Sequence, residues 1–165
     1  MKPYLFVTFL LTLLLKETAA QQNDQIKRQA REFSEAIVKH DYNRWISLMY
    51  PKELVIRGGR DSFINVQKRI EKGGIGIITK IIVGDQGKIV QQGNRLFCML
   101  KDTAYLTGGF DIKAYYTLMA VSEDNGKRWY FIDTDWALRI LFPDIEKKMP
   151  ITTKIISSSR TKSKS

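Results

Sequence analysis

The hydrophobic period of this chain changes once, at Gly73-Gly74, and that change decides its fold class. Before it, apolar residues recur every three or four positions; after it, they alternate or run in β-branched stretches. Helices bury a stripe and strands bury a face, so a helical part followed by a strand-forming part predicts an α+β domain.

In the helical part, Ile26, Ala30, Phe33, Ile37 and His40 form one stripe of a helix over 24–40, with Asn23 or Asp24 as its cap. A second short helix carries Tyr42, Trp45, Ile46 and Met49 on one face and stops at Pro51. Leu54-Val55-Ile56 reads as a short strand. Gly58-Gly59 opens a third helix with Phe63, Val66 and Ile70 as its apolar stripe, and Gly73-Gly74 closes it.

The strand-forming part predicts a four-strand antiparallel meander. Its segments are Ile75 to Val83 with a continuation at Lys88 to Gln91, Arg95 to Leu106, Phe110 to Val121, and Trp129 to Asp135. Asn125-Gly126 accepts positive φ at both positions and marks a tight type I′ hairpin. Ala137 to Phe142 closes the domain. Such a sheet must curl to bury its apolar face against the helices, which predicts three N-terminal helices on a strongly curved antiparallel sheet, a cone with a central pocket.

The two ends of the chain differ from its middle. Lys2, an uncharged run from Tyr4 to Leu15, and the small residues Thr18-Ala19-Ala20 have the layout of a secretory signal peptide cleaved near Ala20. The apolar run is short for a membrane span, which needs about 20 residues. The predicted divisions are a signal peptide at 1–20, one domain at 21–145 and a basic, disordered tail at 146–165, with export to the periplasm or medium. In that tail Ile151, Ile155 and Ile156 leave open a short edge strand or a helical turn against the body.

The net charge of +10 is uneven. Six basic residues against Glu146 give 146–165 a net +5, and Lys2 and Lys16 against Glu17 add +1. The remaining +4 is spread over 21–145, so no specific nucleic-acid partner is expected. The tail is the candidate for weak contact with an anionic surface. The lone cysteine, Cys98, excludes an internal disulfide, and with a single His it leaves no ligand set for zinc; neither metal nor cofactor is expected.

The segment Tyr42-Asn43-Arg44-Trp45-Ile46-Ser47-Leu48-Met49-Tyr50-Pro51 resembles the second helix of nuclear transport factor 2-like domains, the SnoaL-like, cystatin-like cone superfamily. The Gly58-Gly59-Arg60 helix start and the hairpin from Ser122 to Asp133 resemble the same domains, most of all their small exported bacterial members. The resemblance covers roughly 24–142 and implies a conical sheet around a pocket, often in a homodimer. It does not fix an activity, because the superfamily contains isomerases, cyclases, dehydratases and binding modules.

Enzymes of that superfamily that move protons place an Asp or His base beside a Tyr or acid donor. Asp133 is the candidate base, in phase with Trp129 and Phe131, unless the strand end lets it reach solvent. Tyr105 and Tyr115 are candidate donors or wall-forming aromatics. His40 stands at a helix C-terminus, where an imidazolium interacts favourably with the dipole. Lys101 and Thr103 share a face with Phe97, Met99 and Tyr105, and the lysine can neutralise an anionic ligand or snorkel. Trp45, Met49, Phe97, Tyr105, Tyr115 and Trp129 are the candidate walls of a pocket for a small apolar or amphipathic ligand. Binding of such a ligand, or of a partner protein, is the leading expectation. The alternative is an isomerase- or cyclase-type enzyme using a pocket Asp and Tyr. A third reading is an interaction surface on the outer sheet face, with Tyr116 and Tyr130 as its outward aromatics.

Overall fold

The computed structural model of the chain describes residues 3–74, 76–107, 112–133, 135–149 and 154–157, of which 3–20, 135, 146–147 and 154–157 are described as backbone. Four helices come first: α1 (Pro3–Val38), α2 (Tyr42–Leu48), α3 (Pro51–Ile56) and α4 (Gly59–Lys72). The strands are β1 (Ile77–Ile82), β2 (Val90–Gln92), β3 (Arg95–Thr107), β4 (Ile112–Ser122), β5 (Tyr130–Ile132) and β6 (Lys154–Ser157). Two short helices, α5 (Asp135–Leu141) and α6 (Pro143–Lys148), lie between β5 and β6. No described helix is long and apolar enough to cross a membrane.

The sheet is antiparallel and strongly curved, in the order β1-β3-β4-β5. β2 pairs with β3 beyond the end of β1, and β6 pairs with β4 beyond the end of β5. The long strands β3 and β4 run in unbroken register from Leu96↔Ser122 to Leu106↔Ile112. Because side chains alternate along them, every second residue belongs to one face.

Each face has its own core. On the inner face Cys98, Leu100, Leu118, Ala120, Trp129 and Phe131 pack against Ile26, Phe33, Trp45 and Phe63 of the helices. On the outer face Phe97, Met119, Val121 and Ile132 pack against Leu138, Phe142 and Ile145 of α5 and α6. Burying each such side chain contributes about 1.5–3 kcal/mol, so the closing helices stabilise the sheet as the leading ones do.

The structure corrects several expectations. Leu54-Val55-Ile56 is helical, not a strand, which makes four leading helices rather than three. Pro51 sets φ at the first helical position, and Glu53 reaches Arg57 one turn on; this local geometry outweighs the β preference of Val55 and Ile56. Asn23 and Asp24 lie within α1 and cap nothing. Val66 and Ile70 are each 45% exposed, so only Phe63 of the α4 stripe enters the core. Ala137 and its neighbours form α5.

Asn125 and Gly126 do take positive φ, 59° and 86°. The last ladder pair is Val121↔Tyr130, however, so the connection is a wide loop rather than a tight hairpin. Ser122 Oγ accepts from Gly126 N at 2.9 Å and Asp124 Oδ1 from Arg128 N at 2.9 Å, which holds that loop open. The tail expectation also changes at Lys154–Ser157, which is the edge strand rather than disorder; residues 150–153 and 158–165 lie outside the described residues.

Candidate functional site

Asp102 and Tyr116 are cross-strand partners on the inner face of the sheet. Asp102 shares the phase of Cys98, Leu100 and Ala104, and its side chain is buried among them. Its Oδ1 accepts from Gly84 N at 3.2 Å, while Oδ2 has no hydrogen-bond partner. Burial pushes this carboxyl up to about 6, and the bond from Gly84 only partly offsets it. The Tyr116 phenol is raised well above its ordinary value by burial, then by the charges of Asp102 and Asp133.

Asp133 enters this cluster from the end of β5, on the face that the Trp129–Phe131 phase predicts. Its Oδ1 accepts from Arg57 Nη2 at 2.9 Å. Burial raises its pKa, and the Arg57 charge opposes the rise. Arg57 also donates to Glu53 Oε1 through Nη2 at 2.6 Å and Nε at 3.0 Å, and Glu53 is fully buried. The guanidinium lies 5.5 Å from the Phe63 ring centroid and 5.4 Å from that of Trp136. A carboxyl titrating near neutrality beside a phenol and a second carboxylate has the components of a proton relay.

A second feature lies on the outer face. Where α6 ends, Met149 overhangs the sheet and encloses a cleft of about 620 Å³ lined by Met99, Lys101, Tyr115 and Thr117, by Asp85, Gln86 and Gly87, and also by Asp102 and Tyr116 of the first cluster. That size suits a small ligand. Its walls are largely apolar and Lys101 is exposed beside them. A smaller groove, about 370 Å³, runs between α1 and β1.

The residues expected to line one pocket are distributed over three places. Trp45, Met49 and Trp129 are buried in the inner core, where Trp45 stands edge-on to Phe63 at 4.8 Å and to Phe33 at 6.5 Å. Phe97 is buried in the outer core against Phe142, ring centroids 5.0 Å apart. Tyr105 and Tyr115 are on the outer face, and only Tyr115 borders the cleft. Neither tyrosine meets Asp133, whose tyrosine neighbour is Tyr116. Tyr116, expected to point outward, points inward, because its phase is that of Leu118 and Ala120.

His40 sits just past α1 in the left-handed region, with Nδ1 2.6 Å from Glu71 Oε1. Tyr42 Oη donates to the same oxygen at 2.6 Å, which makes the pair a surface link between α1 and α4. The Cys98 thiol is buried and pushed up to about 12 by burial. Among the described residues, no group of three or more His, Cys, Asp or Glu is placed to hold a metal ion.

Sequence reasoning passes over Asp102, Glu53 and Arg57. The one available signal is Asp102 itself, a carboxylate inside the otherwise apolar phase Cys98, Leu100, Ala104.

No protein-family model matches the chain, nor does any curated protein. Among solved structures the chain is similar to a nuclear transport factor 2-like protein of unknown function from Burkholderia pseudomallei. The two are 14% identical, with a TM-score of 0.37, over 73% of this chain and 96% of that one. Helices followed by a strongly curved antiparallel sheet are the architecture that the resemblance of the 42–51 and 122–133 segments to nuclear transport factor 2-like domains implies.

Proposed function

We propose that the protein is an exported binding module that holds a small amphipathic ligand, with an apolar body and an anionic head, in the outer cleft. The cleft of about 620 Å³ supports this reading: Met99, Tyr115 and Met149 offer apolar surface, and Lys101 offers a cation at its edge. Export rests on the Tyr4 to Leu15 run and the Ala20 site. A cut after Ala20 leaves intact the bonds of Gln22 to Asn125, Asn23 to Gln86 and Gln25 to Lys127.

Native mass spectrometry of the protein from its own host is expected to show retained ligand mass and an N-terminus at Gln21. The stripped protein should bind anilinonaphthalene sulfonate, and Lys101→Glu should weaken that binding about tenfold. A ligand-free native mass together with no dye binding would end this reading.

Asp102 supports a second, enzymatic reading. Its unpartnered Oδ2 and its titration near 6 suit a general base, with Tyr116 beside it as donor. Solvent deuterium exchange into a panel of small enolisable ketones, abolished by Asp102→Asn, would support proton transfer; no exchange into any of them would count against it.

A further inference from the structure

The outer face of the sheet continues past the cleft, toward β1 and β6, as a partly exposed surface of lysine, tyrosine, threonine and isoleucine. Lys80 stands opposite Tyr105 and Tyr105 opposite Lys113; in the next row Ile82 stands opposite Thr103 and Thr103 opposite Tyr115. Lys101 and Thr117 make the row after that. Ile82 is 42% exposed and Tyr115 37%. Lys80 Nζ and Lys113 Nζ each lie 5.8 Å from the Tyr105 ring centroid, and Lys113 Nζ lies 4.9 Å from that of Tyr115. The only acidic residue in β1, β3 or β4 is Asp102, which points to the opposite face.

We infer that this face docks on an anionic phospholipid bilayer. Three ammonium groups on three neighbouring strands, about 5 Å apart from strand to strand, form a single-sign surface that repels a second copy of itself and attracts an anionic plane. The cations of this stretch, Lys80, Lys101 and Lys113, are all lysine; Arg95, at the far end of the face, is held by Glu123. Lysine is a point charge that suits a field of headgroups, whereas arginine's fork is the group matched to individual phosphates of a nucleic acid. Each tyrosine ring already has an ammonium against it, which leaves it poorly placed to stack on bases. Tyrosine hydroxyls with apolar bodies, and the exposed Ile82 tip, suit the boundary between headgroups and acyl chains. β6 extends the same sheet, with Lys154 in register with Tyr115, and the sequence beyond it adds Arg160, Lys162 and Lys164. The docking face shares Lys101 and Tyr115 with the cleft, but Lys80, Ile82, Tyr105 and Lys113 lie outside it, so substitutions at Lys80 and Lys113 test docking without touching the cleft.

Vesicle co-sedimentation of the mature chain, residues 21–165, tests this docking. The protein should bind phosphatidylcholine vesicles containing about one quarter phosphatidylglycerol, not phosphatidylcholine alone, and should release at high salt. The double variant Lys80→Glu, Lys113→Glu should bind at least about 30-fold more weakly, since each positive charge removed costs about fivefold and the added carboxylates are repelled as well. If that variant fails to fold by circular dichroism, Lys80→Gln with Lys113→Gln carries the same comparison while keeping much of each stem. Equal binding to neutral vesicles, or undiminished anionic binding by a folded variant, would overturn the inference. So would capture of heparin or DNA without anionic vesicles, which would assign the face to a soluble polyanion.

Discussion

Arg57 and Asp133, 76 residues apart in the chain, meet at 2.9 Å and fasten α3 to the end of β5. The same guanidinium holds the buried Glu53, so one cation serves two carboxylates that are both withdrawn from water. The ion pair also fixes where Asp133 points, and so joins it to the Tyr116 and Asp102 side of the sheet.

Arg57→Met should therefore destabilise the domain by about 3–5 kcal/mol, the cost of removing the cation between two buried carboxylates. Urea unfolding checks the magnitude. The loss should be greater at pH 8 than at pH 5, because the two carboxylates can escape the penalty by binding protons at the lower pH.

Asp102 carries a pH signature of opposite sense to a salt-bridged acid. Its folded pKa of about 6 lies above the ordinary 3.8, so the native state holds the proton more tightly than the unfolded chain does. Its penalty is complete above about pH 6 and vanishes below about 4, a swing of about 3 kcal/mol. Asp102→Asn should gain on the native protein by roughly that amount when the two are compared at pH 7 rather than pH 4. A flat difference between those pH values would contradict the burial.

Gly84 permits the β1–β2 connection to press against β3. A Cβ at this position would lie 1.9 Å from the Lys101 carbonyl oxygen, a backbone atom with no room to move. Gly84→Ala should cost more than about 3 kcal/mol, in the range of severe overpacking, and should also disturb the bond from Gly84 N to Asp102. A thermal midpoint near that of the native protein would refute it.

Two truncations separate the contribution of β6 from that of residues 158–165. Ending the chain at Met149 removes β6 and frees the β4 edge from Ile112 to Tyr115, with an expected loss of about 2 kcal/mol from the ladder bonds. Ending it at Ser157 should cost less than about 0.5 kcal/mol. Chemical denaturation of the two proteins side by side decides the matter.

The long elements are legible in the sequence because their periods are unambiguous. Ile26, Ala30, Phe33 and Ile37 are buried as their spacing requires, and β3 and β4 fall within two residues of the expected limits. The faces of the sheet are harder to tell apart. Phe97-Cys98-Met99-Leu100 is apolar in both phases because two cores flank it, so alternation cannot say which phase meets the leading helices. Reading the odd phase as the lined one hides Asp102 and turns Tyr116 outward. The Glu53–Arg57–Asp133 cluster is hidden for another reason: α3 reads as a strand, and no local pattern links its charges to a residue 76 positions on.

The contacts of Gln22 and Gln25 set an order on the making of the molecule. Their partners, Asn125 and Lys127, lie more than a hundred residues later. During synthesis these two bonds therefore cannot form until about three quarters of the chain exists. A closure that distant carries a large entropic cost and comes late in folding. The contacts of α1 with α2, with β1 and with Gln86 can form by mid-synthesis, so the bonds of Gln22 and Gln25 are among the last that fix the front of the chain to the body.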